Sequence, residues 1–189
     1  MPARSSVALV DFRSLLSGPT SDAACRDAVE LIGELARVAI LPVPEHPAVH
    51  DLAVRLYGGF RDRGGHPTPE YLGLLRHVGL LRNLDRGVRT TPEVALNILH
   101  LPGDDLVATY RSGEQKMVDT MIAADAIELA GMGYSSVTIV SNDDDFVPVL
   151  ASVARFADVT QWLRKSRIAG NDEMLTRQGV RLLSDPIWQ

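Results

Sequence analysis

The chain has one cysteine, Cys25, among its 189 residues. It cannot form an internal disulfide, so a reducing, cytoplasmic setting is expected. Lysine is nearly as scarce: Lys116 and Lys165 stand against seventeen arginines. Aromatic residues are 5% of the chain, too few for base stacking to supply much nucleic-acid affinity. Tyr57, Phe60 and Trp162 are the stacking candidates, with core packing as the alternative for each. No apolar run approaches the roughly 18 residues of a membrane span, and Met1-Pro2-Ala3-Arg4-Ser5-Ser6 is too short and polar for a signal peptide. Repeats and low-complexity segments are absent, and no composition shift marks a boundary, so residues 1–189 read as one domain. With 46% hydrophobic and 23% charged residues, that domain has ordinary globular composition. The net charge of −5 argues against coating nucleic acid by bulk charge alone. It leaves room for a compact cation site, which needs clustered carboxylates.

The pattern along the chain alternates strands and helices. Val7 to Val10 is a β-branched apolar run stopped by Asp11, the mark of a buried strand. Ser21 or Asp22 can cap a helix running from Ala23 to Ile40, which Pro42, Pro44 and Pro47 prevent from continuing. His50 to Phe60 alternates as a second strand. Thr68 and Pro69 open a helix reaching Leu81, and 83–92 reads as irregular. Val94–Leu99 and Leu106–Tyr110 suggest a hairpin around Pro102-Gly103-Asp104-Asp105. Glu114 to Ala130 reads as a helix with Val118, Met121, Ile122 and Leu129 on one stripe. A strand at Val137–Val140, a helix from about Asp144 to Arg155 and a strand near Val159–Leu163 follow, with one more short element after Asp172. This alternation implies an α/β fold with a mainly parallel sheet. Residues 61–113 are the least explained, and insertions there would set substrate or partner choice.

Two strands end on aspartates, Asp11 and the run Asp143-Asp144-Asp145. Ligands of an open parallel sheet sit outside the carboxyl ends of its strands. A helix leading into a parallel strand starts at that same edge, which brings Lys116 and Asp119 there. Between Glu114 and Asp145 lie seven acids against one lysine, a surplus of six that exceeds the net charge of the whole chain. Such a cluster repels itself unless a hard cation neutralises it, and Mg²⁺ or Mn²⁺ suits oxygen ligands. Each acid also has a plainer reading. Asp143 can be an N-cap, Asp11 a strand-end turn residue, and Asp119 an exposed acid paired with Lys116. Asp125 falls on the apolar stripe and needs either hydrogen-bond donors or a cation. Candidate contacts to an anionic substrate are Arg13, Arg61 and Arg63 with His66, and Arg164, Lys165 and Arg167, although a loop arginine is more often simply solvated.

Lys116-Met117-Val118-Asp119 with Asp125, followed by Thr138-Ile139-Val140-Ser141-Asn142-Asp143-Asp144-Asp145-Phe146-Val147-Pro148, resembles the NYN domain, a branch of the PIN-like nucleases. That family opens a helix with Lys-x-x-Asp, places a second Asp six residues on, and ends its next strand in Ser-Gly-Asp-x-Asp-Phe-x-Pro. The strand ending in Asp11 fits its first motif, and Tyr57-Gly58-Gly59 resembles a common second-strand ending. The resemblance is specific over 114–150, suggestive over 1–60 and slight over 61–113. It implies a three-layer α/β/α sandwich and divalent-metal-dependent cleavage of RNA, with Asp11, Asp119, Asp143 and Asp145 as catalytic, metal-binding acids. Lys116 could contact a phosphate, stabilise the leaving oxygen or merely balance Asp119, with Ser14, Asp125, Asn142 and Asp144 also in support. It also implies work as a homodimer or beside a protein partner; single-stranded DNA is the other substrate it leaves open. Two positions depart from the family. Ser14 stands where Asn is usual, keeping a hydroxyl but losing an amide, and Asn142 replaces a glycine.

Other classes are less well matched. A haloacid-dehalogenase-like phosphatase would need a second acid where Arg13 stands. A Toprim-like site is mimicked by Asp143-x-Asp145 but lacks an evident upstream glutamate. A non-catalytic binding or assembly subunit is the remaining alternative, favoured by Ser14 and opposed by the presence of all four acids.

Overall fold

In a computed structural model of the chain, the described residues are 5–16, 18–40, 50–60, 66–83, 88–94, 110–111, 114–115, 118–164 and 168–184. The elements in chain order are β1 (Ser5–Asp11), α1 (Phe12–Leu15), α2 (Asp22–Ile40), β2 (His50–Tyr57), α3 (Pro69–His77), β3 (Val88–Val94), β4 (Tyr110–Arg111), β5 (Glu114–Gln115), α4 (Val118–Gly131), β6 (Ser136–Val140), α5 (Val147–Val153), β7 (Asp158–Trp162), α6 (Ala169–Arg177) and β8 (Arg181–Leu183). Short 3₁₀ turns at Val78–Asn83 and Asp144–Phe146 follow α3 and precede α5.

Six strands form one sheet in the order β3-β2-β1-β6-β7-β8. Every pairing in it is parallel. The apolar run of β1 has a direct cause in this placement. Ala8 and Val10 pack with Cys25, Ala28, Val29 and Leu74 of α2 and α3. Val7 and Leu9 pack on the opposite face with Ile122, Ala126 and Leu150 of α4 and α5. A central parallel strand buried on both faces has no position for a polar residue until it reaches the edge. The result is a three-layer α/β/α sandwich.

Helix starts follow local chemistry. The Ser21 hydroxyl accepts the Ala24 N–H at 3.1 Å, and the Thr68 hydroxyl accepts that of Tyr71 at 3.3 Å. Where α3 crosses α2, Gly73 allows close approach. A Cβ there would lie 2.6 Å from the Cys25 sulfur and 3.0 Å from its Cβ, and Cys25 is fully buried. Gly73→Ala is therefore expected to cost about 1–3 kcal/mol of overpacking. Most of that range exceeds the roughly 1 kcal/mol that alanine gains over glycine in a helix, so the net effect expected is destabilisation by up to about 2 kcal/mol. Urea unfolding checks this, and a variant more stable than the parent contradicts it.

Two expected elements differ. The stretch 83–92, expected to be irregular, contains the start of β3. Pro92, paired with Val54 in register, is tolerated because β3 is an edge strand and need not donate on its outer side. The helix expected from Glu114 begins at Val118. Glu114 and Gln115 instead pair antiparallel with Arg111 and Tyr110, since the buried stripe that anchors α4 starts only at Val118. The expected hairpin at 94–110 lies mostly outside the described residues. After Asp172 the chain holds both a helix, already begun at Ala169, and a strand.

Candidate metal centre

From β1 the sheet grows one way to β2 and β3, and from β6 the other way to β7 and β8. The point where strand order reverses is thus the β1/β6 pair, and ligands of open α/β sheets bind outside the carboxyl ends at such a point. In register, Val10 pairs with Val140, so Asp11 and Ser141 leave the sheet side by side. Helix α4 precedes the parallel strand β6, so its first turn, carrying Asp119, starts at the same edge.

Asp119, Asp143 and Asp145 each place a carboxylate oxygen within 4.8 Å of the others. Asp119 and Asp143 are part-buried and Asp145 is exposed. Three hard oxygen donors from two chain segments, close enough to repel, fit a small divalent cation such as Mg²⁺ or Mn²⁺. Asp143 is also the N-cap of the 144–146 turn, accepting the Asp145 N–H at 3.1 Å. The plain reading of Asp143 and the metal reading therefore coexist. The Ser141 hydroxyl accepts the Asp143 N–H at 3.2 Å. From β7, Gln161 Nε2 donates to the carbonyl oxygens of Ser141 and Asp143, at 3.2 Å each.

Asp11 stands at the same edge but outside that group of three. Its carboxylate accepts the Arg13 N–H at 3.2 Å and the Ser14 hydroxyl. Burial raises its pKa, the Ser14 and Arg13 hydrogen bonds lower it in part, and the charge of Asp143 raises it further. Ser14 thus binds the first aspartate directly, and its oxygen lies 3.4 Å from that of Ser141.

Other expected site residues are placed elsewhere. Asp125 accepts the Tyr57 hydroxyl at 2.5 Å and Arg55 Nη1 at 3.1 Å, so protein donors meet the need of a half-buried acid on the α4 stripe. Asn142 is part-buried beside the cluster. Arg164, expected to face an anionic substrate, is 3% exposed. It forms ion pairs with Asp144 and with Asp172 at 2.7 Å, because a buried guanidinium must find carboxylates. Arg13 is exposed and donates to the Thr20 hydroxyl at 3.2 Å. Lys116, Arg61, Arg63, Lys165 and Arg167 lie outside the described residues. Tyr57, Phe60 and Trp162 are all buried, which makes them core residues and removes them as stacking platforms.

No family model and no curated protein matches the chain. Among solved structures it is similar to the crystal structure of a protein of unknown function from Vibrio parahaemolyticus. The two share 18% identity over 97% of this chain and 94% of that one, with a TM-score of 0.48.

Sequence reasoning missed three residues at this edge. Gln161 was detectable as the single amide in the strand Asp158–Trp162. Ser141 showed only as part of a motif. Glu70, 8% exposed at the start of α3, gave no sequence signal. A first-turn glutamate is ordinarily explained by the helix dipole. Burial, with the charge of Arg13 opposing it and that of Asp11 reinforcing it, pushes its carboxyl up to about 7.

Proposed function

We propose that this chain is a divalent-metal-dependent nuclease that hydrolyses RNA phosphodiester bonds at the carboxyl edge of β1 and β6. The observation carrying this reading is the group Asp119, Asp143 and Asp145 at the point where strand order reverses. The motif resemblance to the NYN domain over residues 114–150 supplies the substrate class. When bound, Mg²⁺ or Mn²⁺ would polarise the phosphoryl oxygen and acidify an attacking water.

Asp119, Asp143 and Asp145 would hold the ion. Asp11, oriented by Ser14 and the Arg13 N–H, adds a fourth carboxylate. The exposed Arg13 is one cation at this edge available to attract a phosphate backbone. Reaction at a cytoplasmic RNA agrees with a lone, buried Cys25. No helix among the described residues is long and apolar enough to cross a membrane.

A second reading is a non-catalytic binding subunit acting in a homodimer or with a protein partner. It is favoured by one observation, that Ser14 and the Arg13 N–H already occupy the Asp11 carboxylate. Cleavage assays on defined RNA and single-stranded DNA, with Mn²⁺ or with chelator, separate the two readings. The nuclease reading expects Mn²⁺-dependent products from RNA, and retention of intact RNA in every condition contradicts it. Thermal unfolding gives a companion test. An ion at 100 times its Kd stabilises by about 2.7 kcal/mol, which at about 2–4 °C per kcal/mol is a rise of roughly 5–10 °C. No rise at millimolar Mn²⁺ contradicts the cation site.

A further inference from the structure

The run Asp143-Asp144-Asp145 sends its carboxylates to different partners. Its first and third members join Asp119, while the middle one pairs with Arg164. The Arg164 side chain is 2% exposed, and its Nε also donates to Asp172 of α6 at 2.7 Å. The backbone just before it supports this placement. Leu163 adopts a left-handed conformation with φ 64°, which an L-residue adopts at some cost. The Arg164 N–H then bonds the Leu183 carbonyl of β8 at 3.1 Å. Arg164, just after β7, is thereby tied to β8, with its side chain paired to Asp144 of the loop that carries the acids.

Burying a guanidinium is expensive for stability, and an apolar residue of similar volume is often as good or better. What the charge supplies here is a choice among three adjacent carboxylates. Without Arg164 beside it, Asp144 loses the cation that holds it away from Asp119. With Arg164 holding Asp144, the two flanking residues are left facing α4. Gln161 supports the same loop by holding two of its carbonyls.

We propose that Arg164 is a positioning residue: through Asp144 it sets the conformation of the 141–146 loop that brings Asp143 and Asp145 to Asp119. The consequence for metal binding rests on the cation reading above, whereas the consequence for the loop does not. Arg164→Met and Asp144→Asn break the pair from its two sides, and Asp172→Asn removes the other partner while leaving the pair intact. Two quantities are measured for each variant: amide hydrogen exchange at Asp143 and Asp145 in chelator, and Mn²⁺ affinity by calorimetry.

Both pair-breaking variants are expected to speed exchange at these amides and to weaken Mn²⁺ binding about 10- to 100-fold, the usual cost of losing outer support in a metal site. Arg164→Lys should recover part of the affinity, and Asp172→Asn should keep it. The sign is diagnostic. Removing a positive charge beside an acidic cluster strengthens cation binding by Coulomb's law alone, so weaker binding in Arg164→Met reports geometry. A folded Arg164→Met with unchanged exchange and unchanged or tighter Mn²⁺ binding overturns the proposal. So does an equal loss of affinity in Asp172→Asn, which would point to general destabilisation. If Arg164→Met fails to fold, amide exchange in Asp144→Asn decides, since loss of its negative charge weakens Mn²⁺ binding without any change of loop geometry. If the parent binds no Mn²⁺, the cation reading falls, and the exchange data alone decide the positioning role.

Discussion

Asp143→Asn is expected to lower Mn²⁺-dependent RNA cleavage by about a thousandfold while leaving the protein folded. The residue has two roles that this substitution separates. As the N-cap of the 144–146 turn it accepts the Asp145 N–H, and an asparagine oxygen can accept that bond almost as well. As one of three carboxylates within 4.8 Å it offers a cation two hard oxygens, of which asparagine keeps one and no anionic form. Metal-assisted charge stabilisation contributes several kcal/mol to such reactions, and each 1.36 kcal/mol is tenfold in rate. Initial rates on a defined RNA, with circular dichroism and melting curves for both proteins, check the expectation. A folded variant cleaving within tenfold of the parent would remove Asp143 from the chemistry.

Glu70→Gln is expected to stabilise the protein at pH 8 by about 3 kcal/mol in the presence of chelator and by little near pH 4.5. The Glu70 side chain is buried, and its Oε1 finds no hydrogen-bond partner among the described residues. It lies close to where a Cβ on Gly58 would stand, 3.0 Å away. Its carboxyl is pushed from 4.5 up to about 7. Between those values the folded protein holds a proton that the unfolded chain has released. Stability therefore falls as pH rises through this window, and the loss is complete above the folded value. Glutamine keeps the shape and has no charge to bury. Asp11, also raised by burial, adds a loss of the same sign in both proteins. Urea unfolding at the two pH values tests this; an equal difference between variant and parent at both contradicts it.

Much of the fold was readable because the strong signals were local. The apolar run Val7–Val10 ended by Asp11, its counterpart Val137–Val140 and the caps at Ser21 and Thr68 each carry their cause in adjacent residues. The carboxyl-edge rule brought Asp11, Lys116, Asp119 and the run Asp143-Asp144-Asp145 to one rim; of these the structure groups Asp119, Asp143 and Asp145, sets Asp11 beside them and pairs Asp144 with Arg164. What was hidden depended on partners distant in sequence. The edge strand around Pro92 looks like a loop until its place beside β2 is known. Arg164 follows an apolar strand and looks like a solvated loop cation, and only the fold reveals Asp144 and Asp172 around it. Asp125 is similar: its stripe position signalled burial, but Tyr57 and Arg55 come from a strand about 70 residues earlier. Glu70 is hidden for the same reason, because only the fold brings it beside Gly58, which follows β2.

We propose that Asp119, Asp143 and Asp145 together hold a divalent cation at the sheet edge. Anomalous diffraction from a crystal of the protein soaked in millimolar Mn²⁺ tests it most directly. The expected result is a peak bonded to oxygens of all three carboxylates at about 2.0–2.2 Å, the range small hard divalent ions require. An anomalous map with no peak at these residues would contradict it.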